Sequence, residues 1–333
     1  MKTAILGAGA LGTIFAAHLA DAGEDVVVVT REPRASLLAR DGLRVTGLVE
    51  KAARVPVFSD PAAANDADLV ISALKTYQSP AVIAGLRPRP GALALSVQNG
   101  VYKNDELAAV FGAAHVLGAT ALISGEVLAD GAARFTVNER LLVGELAGGT
   151  SARAEAVAAM FARAGIRTAA SPGIRAVEWA KYAMFVPSFC LAVITRLPTH
   201  RFMSHEGSAR VVVALTREMA ELARAEGIAL PEGGGYSAAT IARADDAAAL
   251  AAVLAYGERM RTAAPAHKVS GLQDLERGRP TEVEETVGYA VRRAAALGLD
   301  CPALRTCHGL CGAISPPLAQ SERSVPTPRT SIS

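Results

Sequence analysis

The chain has little of what marks a secreted, membrane-spanning or nucleic-acid-binding protein. Its 333 residues carry a formal net charge of only +2, so nothing demands a nucleic acid or an anionic membrane as a partner. No run of 18 or more apolar residues predicts a membrane span. The first residues enter a predicted strand at once, whereas a secretory signal peptide needs a basic start, a longer apolar run and a cleavage site. We therefore expect a cytoplasmic protein.

Cysteine is also scarce, with four residues in the whole chain. In a reducing compartment they are most simply free thiols. Cys307, His308 and Cys311 lie close enough in sequence to suggest a metal site, but no second ligand pair follows at the spacing of a zinc finger. We favour a buried helix face at this position and expect no metal.

The first half of the chain alternates short apolar runs with helical patterns. Continuous runs of Val, Ile, Leu and Ala are typical of parallel strands buried on both faces. Such runs predict strands at 3–6, 25–30, 69–73, 92–97 and 116–121, with helical patterns such as 11–22 and 80–85 between several of them. This βαβ order predicts an α/β domain with a Rossmann-type, doubly wound sheet. Residues 134–146 alternate instead, which predicts one or two antiparallel strands that close the domain near residue 170.

Strand signals nearly vanish in the second half of the chain. Three helical runs dominate it, at 174–197, 208–227 and 281–298, with Thr281 as a candidate cap and Gly227 and Gly298 as candidate helix ends. We therefore predict a dinucleotide-binding domain over 1–170 and an all-α substrate and catalytic domain over 171–314. The remainder, 315–333, is rich in Pro and Ser and is predicted to be disordered.

A glycine-rich loop follows the first predicted strand. It has the spacing G-x-G-x-x-G and consists of Gly7, Ala8, Gly9, Ala10, Leu11 and Gly12. In such loops the first glycine allows a tight turn, the second lets the backbone approach a pyrophosphate, and the third lets the helix pack on the sheet. The strand before it and the helix after it favour a dinucleotide site over a glycine-rich turn without a ligand.

Arg31 stands where many NAD-binding proteins place an acid, at the end of the second predicted strand. A carboxylate there would accept hydrogen bonds from the ribose 2′-hydroxyl and repel a 2′-phosphate, whereas a guanidinium can bind the phosphate. The pattern favours NADP, although Arg31 could also be a solvated residue at the end of a strand.

Three further stretches carry a family resemblance: "SALKTYQ" (72–78), "SVQNGV" (96–101) and "KVSGLQDLERGRPTEVEETVG" (268–288). With the glycine loop they resemble the ketopantoate reductase (2-dehydropantoate 2-reductase) family, over residues 1 to about 311. The resemblance implies a Rossmann domain followed by a helical domain, and reduction of a 2-keto acid to a 2-hydroxy acid with NADPH. We expect a small 2-keto acid as the partner, no nucleic acid and no membrane, and a homodimer remains open.

The resemblance also implies roles for single residues. Lys75 corresponds to a lysine beside the adenosine phosphate, and with Arg31 it would form a two-cation clamp. Gln78 and Ser124 correspond to positions near the cofactor, and Asn99 to an asparagine at the nicotinamide and substrate. Ser270 corresponds to a substrate-contacting serine, and Glu282 to a glutamate near the catalytic lysine and the cofactor ribose. The alternative interpretation of Glu282 is an acid in the first turn of a helix, which the helix dipole favours. The alternative for Ser270 is an ordinary loop hydroxyl.

Lys181 occupies the place of the family's catalytic lysine, on the otherwise apolar segment "WAKYAMFVPSF". A protonated lysine aimed at a keto oxygen can stabilise the developing alkoxide and donate its proton. An unpaired ammonium is costly to bury, which makes this position unusual. The alternative is a lysine whose charged end reaches solvent from a core helix.

Two positions depart from the family pattern. The ketopantoate enzymes carry substrate-binding asparagines four and eight residues after the lysine, where this chain has Phe185 and Phe189. We predict that both phenylalanines line the cleft and that the substrate is larger or more apolar than ketopantoate. Alternatively, a kink at Pro187 turns both rings into the core and lets Ser188 or freed carbonyls bind the substrate.

Two other functions compete with that of a ketoreductase. A Rossmann–helical dehydrogenase of the hydroxyisobutyrate or glycerol-phosphate type is disfavoured by the stretch from Ser270 to Glu282. A non-catalytic NADP-binding sensor is disfavoured by the presence of both Lys181 and Glu282, because a sensor has no need of a proton donor.

Overall fold

The structure is a computed structural model, and it describes residues 1–232 and 236–318. Ten strands form one sheet in its first half. Their bounds are β1 Lys2–Leu6, β2 Asp25–Val29, β3 Leu43–Gly47, β4 Lys51–Ala53, β5 Val57–Phe58, β6 Leu69–Ser72, β7 Leu93–Ser96, β8 Val116–Val127, β9 Ala133–Glu145 and β10 Thr168–Ala170.

The sheet order is β4-β3-β9-β8-β7-β6-β1-β2-β5, with β10 paired to the far end of β9. Along the sheet, the six strands β5-β2-β1-β6-β7-β8 are parallel. By contrast, β8 and β9 form a long antiparallel pair. The predicted α/β, Rossmann-type fold is confirmed. The stretch 134–146 is a single strand, and β3, β4, β5 and β10 were not predicted because they are short and lack long apolar runs.

β8 is much longer than its neighbour β7. The pairing between them ends at Leu95 and Leu117, while β8 continues to Val127. The sequence predicted only the first half of β8, since the second half, "LISGEV", mixes polar residues and glycine into the apolar run. The edge of β8 beyond Leu117 therefore has no partner strand on the β7 side, and its backbone groups need other partners.

Helices cover the sheet and make up the second half. Those of the first half are α1 Ala10–Asp21, α2 Arg34–Asp41, α3 Ser79–Ala84, α4 Lys103–Phe111 and α5 Ala152–Arg163. Those of the second half are α6 Ile174–Thr195, α7 Thr199–Met203, α8 Glu206–Ala225, α9 Ala238–Arg243, α10 Asp246–Ala263, α11 Ser270–Glu276, α12 Tyr289–Ala296 and α13 Pro302–Ile314. The predicted all-α second half is confirmed.

Helix ends follow local signals in two of three cases. Gly227 and Gly298 follow α8 and α12 with φ of +73° and +69°, the left-handed conformation of a glycine stop. Thr281 does not cap a helix as predicted. Its hydroxyl bonds Ser315 at 2.9 Å, and a π-helical turn, Glu284–Gly288, precedes α12.

α6 is the central helix of the second half. It is long and apolar enough to cross a membrane by length and composition alone, but 61% of that window is buried inside the protein. Pro187 lies inside it, and the helix continues past the proline to Thr195. The helix packs against α8, α11 and α13, which is the environment of a core helix.

The domain limits 1–170 and 171–314 stay predictions, although β10 ends at Ala170 and α13 at Ile314. Of the predicted disordered tail 315–333, residues 319–333 lie outside the described residues.

Candidate functional site

A cleft of about 1610 Å³ opens at the carboxyl ends of the parallel strands, between the sheet and the second-half helices. Open α/β sheets bind ligands at this edge. Almost all of the residues singled out in the sequence line the cleft: Gly7, Ala8, Gly9, Ala10, Leu11, Arg31, Lys75, Gln78, Asn99, Ser124, Lys181, Phe185, Ser270 and Glu282.

The glycine loop meets the demands of a pyrophosphate site. Gly7 has φ of +91°, and a Cβ on Gly12 would lie 1.8 Å from the carbonyl oxygen of Gly7, so neither position admits a side chain. Gly9 is different, because a Cβ there would meet nothing within 4 Å. Gly9 is also the N-cap of α1 and provides no side-chain cap, so the first N–H groups of the helix face the cleft. The loop therefore fits a dinucleotide phosphate.

The end of β2 presents Arg31 and Glu32 to the cleft. The Glu32 carboxylate accepts a hydrogen bond from the Ser36 N–H at 3.2 Å, so it serves the first turn of α2. Arg34, which no sequence pattern indicated, joins the glycine loop to the β8–β9 turn by hydrogen bonds. Its guanidinium donates to the carbonyl oxygens of Ala8 at 3.1 Å and Gly131 at 2.7 Å.

Lys75 is occupied by carboxylates of the second half of the chain. Its Nζ lies 2.6 Å from Asp274 and 3.0 Å from Glu282, and both acids are buried. Burial acts to lower the pKa of Lys75, but Glu282 and Asp274 together raise it above its ordinary value. The arrangement departs from the predicted clamp of Lys75 with Arg31, because two carboxylates already neutralise this ammonium.

Glu282 is bound to the loop after β6. One carboxylate oxygen accepts from the Thr76 N–H at 2.9 Å, and the other from Lys75. Glu282 lines the same cleft as Lys181, and within the described residues no salt bridge joins the two. Its role near the catalytic lysine and the cofactor ribose stays a prediction.

The unpaired edge of β8 is covered by side chains. Glu178 of α6 accepts from the Ala119 N–H at 3.0 Å, and Lys103 of α4 donates to the Ala119 carbonyl oxygen at 2.5 Å. Glu178 and Lys103 form a fully buried ion pair at 3.2 Å, and the Asn104 side-chain amide donates to Glu178 at 2.7 Å. Sequence reasoning missed this network, although Glu178 precedes Lys181 by three residues on an apolar helix and therefore shares its face.

Lys181 also bonds the unpaired edge of β8. Its Nζ donates to the carbonyl oxygen of Ala121 at 2.8 Å, two residues beyond the acceptor used by Lys103. Burial and the nearby Lys103 lower the pKa of Lys181 to about 7, and Glu178 opposes the shift. Within residues 1–232 and 236–318, no carboxylate forms a salt bridge with Lys181. An ammonium with these surroundings can give up its proton near neutral pH.

The remaining predicted residues lie around Lys181. Asn99 follows β7 and also lines a small second cavity shared with Lys103, Glu178 and Lys181. Ser270 begins α11, and its hydroxyl is buried without a hydrogen-bond partner in the described part of the chain. A buried unpartnered hydroxyl that lines the cleft is suited to bind a polar group of a ligand.

The rings of Phe185 and Phe189 lie 5.7 Å apart, but only one of them lines the cleft. Phe185 is half-buried and lines the cleft, whereas Phe189 is fully buried and packs in the helical core. The Phe189 ring lies against Gly271, where an added Cβ would come within 2.5 Å of it. The prediction that both line the cleft is therefore wrong for Phe189. The Ser188 hydroxyl, considered as a substitute donor, bonds the Met184 carbonyl oxygen at 2.9 Å.

Comparisons with known proteins assign the chain. The family model "Ketopantoate reductase PanE/ApbA" matches residues 3–148, and "Ketopantoate reductase PanE/ApbA C terminal" matches residues 173–315. The chain belongs to the ketopantoate reductase family. The resemblance seen in the sequence is confirmed, and with it an oxidoreductase that uses a nicotinamide dinucleotide.

Individual relatives are similar to this chain over nearly its whole length. A 2-dehydropantoate 2-reductase of Archaeoglobus fulgidus is 29% identical over 305 residues, 92% of this chain and 95% of that protein. A crystal structure of a PanE/ApbA family ketopantoate reductase from Ralstonia eutropha JMP134 is 30% identical, with a TM-score of 0.80 over 94% of this chain and 98% of that one. D-mandelate dehydrogenase, solved with NADH and anilino(oxo)acetate, superposes with a TM-score of 0.81 over 94% and 98% of the two chains. Its identity is 20%, which shows the fold alone.

The cysteines lie away from the cleft. All four are buried free thiols, and His308 contacts Glu284 at 3.0 Å rather than a cysteine. Among the residues that the structure describes, no group of three or more His, Cys, Asp or Glu side chains is placed to hold a metal ion.

The glycine loop yields a prediction that separates binding from folding. Gly9→Ala should leave the melting temperature unchanged, because its Cβ meets open space, but weaken dinucleotide binding by tenfold or more because the methyl group blocks the phosphate. Gly12→Ala should lower the melting temperature as well, since its Cβ would strike the Gly7 carbonyl. Thermal unfolding and cofactor titration of both variants provide the test. Equal cofactor affinity of Gly9→Ala and the parent would contradict a phosphate site at this loop.

Proposed function

We propose that the protein reduces a 2-keto acid with an apolar side chain to the 2-hydroxy acid, using NADPH. The proposal rests on Lys181, which is half-buried, donates a hydrogen bond to β8 and lines the same cleft as the glycine loop. The bound dinucleotide supplies the hydride. The chain's part is to hold the cofactor and the keto acid and to deliver a proton.

Lys181 is suited to the proton-transfer role. Its Nζ has one backbone acceptor, the Ala121 carbonyl oxygen, which orients the ammonium and leaves N–H donors for a substrate oxygen. Donation from Nζ to the keto oxygen stabilises the alkoxide as it forms. Asn99 and Ser270 line the same cleft and offer an amide and a hydroxyl to the substrate.

Loss of Lys181 should remove catalysis without removing the cofactor. Lys181→Ala should lower kcat by about 10²–10⁴-fold, the usual contribution of a general acid, with the dissociation constant for NADPH nearly unchanged. Lys2→Ala, which removes a surface lysine bonded to Asp66, is the matched control and should retain the parent kcat. If Lys181→Ala turns over at the parent rate, Lys181 is not the proton donor.

The rate of reduction should depend on pH through the same residue. Lys181 is protonated below its pKa of about 7 and neutral above it, so kcat/KM for reduction should be highest below pH 7 and fall as the pH rises. A pH–rate profile with saturating NADPH measures this. A profile that stays flat from pH 6 to pH 9 would be inconsistent with Lys181 as the acid.

Arg31 supports the choice of NADPH. It lines the cleft at the end of β2, and the adjacent Glu32 carboxylate is bound to the N–H of Ser36. A guanidinium at this position favours a 2′-phosphate over a hydroxyl. Lys75 is left out of this recognition because Asp274 and Glu282 hold it.

Substitution of the two cations should therefore have different effects. Arg31→Ala should weaken NADPH binding by about 10–100-fold, equivalent to one charged hydrogen-bond contact of about 1.5–3 kcal/mol, and leave NADH binding unchanged. Lys75→Met should change the affinities for NADPH and NADH by similar factors. Calorimetric titration of each variant with both nucleotides measures this. If Lys75→Met lost affinity for NADPH but not for NADH, the result would instead support the two-cation clamp of Lys75 and Arg31.

The helical side of the cleft favours an apolar substrate. Met184 and Phe185 of α6 line it together with Tyr236 and Tyr256, whose rings stack at 4.1 Å. A substrate hydroxyl placed against such a wall would lose its hydrogen bonds to water without gaining new ones. Apolar side chains gain from the same contact.

Phe185 should control this selectivity. Phe185→Asn should raise kcat/KM for ketopantoate relative to an apolar 2-keto acid by about tenfold, because it restores a hydrogen-bonding side chain. Phe189→Leu is the control, and should lower the melting temperature through the core without changing the ratio. The ratio of kcat/KM values for the two substrates decides the matter. A parent enzyme that prefers ketopantoate tenfold or more would refute an apolar substrate.

A further inference from the structure

The ion pair of Lys103 and Glu178 lies directly beside the proposed proton donor. Lys103 donates to the carbonyl oxygen of Ala119, and Lys181 to that of Ala121, on the same edge of β8. Carbonyl groups two residues apart on a strand point to the same side, about 6–7 Å from each other. The two Nζ atoms are therefore placed side by side along one strand edge, and a small cavity joins Lys103, Glu178 and Lys181.

The contacts of Lys103 are those of a charged ammonium. An ammonium has three N–H donors, and Lys103 has three acceptors: the carbonyl oxygens of Gln98 at 3.0 Å and Ala119 at 2.5 Å, and the Glu178 carboxylate at 3.2 Å. Burial lowers the pKa of Lys103, while the Glu178 carboxylate opposes the change. A fully satisfied ammonium beside a carboxylate keeps its charge, which then acts on Lys181 through a medium of low dielectric constant.

We propose that Lys103 and Glu178 are positioning residues that set the pH at which Lys181 holds its proton. The proposal rests on the proposed function, in which Lys181 is the proton donor. Lys103 opposes a second positive charge on the strand edge, and Glu178 favours one. Neither residue needs to touch the substrate. Lys103 also fixes the Gln98 carbonyl, and hence the loop that carries Asn99, relative to β8.

Two other carboxylates of the cleft are paired elsewhere. Across the cleft, Asp274 and Glu282 are bound to Lys75. Tyr182 follows Lys181 on α6, and its hydroxyl donates to the Thr286 carbonyl oxygen at 2.6 Å. The pKa of Lys181 responds to Lys103 and Glu178 as its two charged neighbours, in opposite directions.

Two single substitutions should move the titration of Lys181 in opposite directions. Lys103→Met removes the neighbouring positive charge and should raise the apparent pKa of Lys181 by about one unit or more. Glu178→Gln removes the negative charge and should lower it. The double variant Lys103→Met/Glu178→Gln leaves no unpaired buried charge, and its pKa should fall between those of the single variants.

The titration can be read in two ways. NMR follows the titration of lysine amines that carry ¹³C-methyl labels, and it needs no substrate. The signal that disappears in Lys181→Arg is assigned to Lys181. The alkaline limb of the kcat/KM profile for reduction gives a second reading and should move with the NMR midpoint. A purely structural role for the pair would lower the melting temperature and kcat in both single variants without opposite displacements of the midpoint.

The outcomes separate the two proposals. If the Lys181 midpoint stays within 0.3 pH units of the parent in both Lys103→Met and Glu178→Gln, the inference is overturned, whatever the activity. Where one single variant fails to fold, the double variant is compared with the other single variant, and equal Lys181 midpoints in these two proteins overturn the inference. If the midpoint moves as expected while Lys181→Ala retains the parent kcat, the inference holds and the proposed function fails.

Discussion

The backbone of β8 continues past the end of β7 into a region where no strand can pair with it, and the site is arranged around that edge. Buried N–H and C=O groups must be bonded, and here the partners are side chains. Glu178 takes the N–H of Ala119, while Lys103 and Lys181 take the carbonyl oxygens of Ala119 and Ala121. Since Glu178 and Lys181 belong to α6, bonding the strand edge also holds the helical half against the sheet.

Lys75, Lys103 and Lys181 line the cleft or the small cavity beside it, and they differ in their partners. Lys75 is bound by two carboxylates and ties the loop after β6 to α11 and the segment before the π-helical turn. Lys103 is bound by one carboxylate and two carbonyl groups. Lys181 has a carbonyl oxygen and no salt bridge within the described residues, which makes it the lysine suited to exchange a proton. Lysine thus has three roles here: Lys75 joins two segments, Lys103 is a fixed charge, and Lys181 is the proposed acid.

The features that the sequence predicted well depend on neighbours in the chain. The turn at Gly7, the close packing at Gly12 and the open approach at Gly9 follow from a strand, a tight turn and a helix in succession. The helix end at Gly298 is equally local. The place of Lys181 in the cleft was also predicted, but through the family resemblance, since an apolar helix with one lysine is compatible with a snorkelling side chain.

Side chains that act across elements were predicted less well. Lys75 is drawn to Asp274 and Glu282, about 200 residues away in sequence, because buried carboxylates need a cation nearby. Phe189 faces Gly271, and the space left by that missing side chain decides that its ring enters the core while Phe185 stays at the cleft. Local periodicity carries no information about either encounter.

The order of apolar runs and glycines was enough to establish a Rossmann-type half, a helical half and a dinucleotide loop, because each depends on residues close together in the chain. Which charges neutralise one another, and which lysine keeps a transferable proton, depended on how α4, α6 and α11 pack around β8. The pKa of a buried amine is set by its desolvation and by the charges within a few ångströms, and those neighbours come from distant parts of the chain.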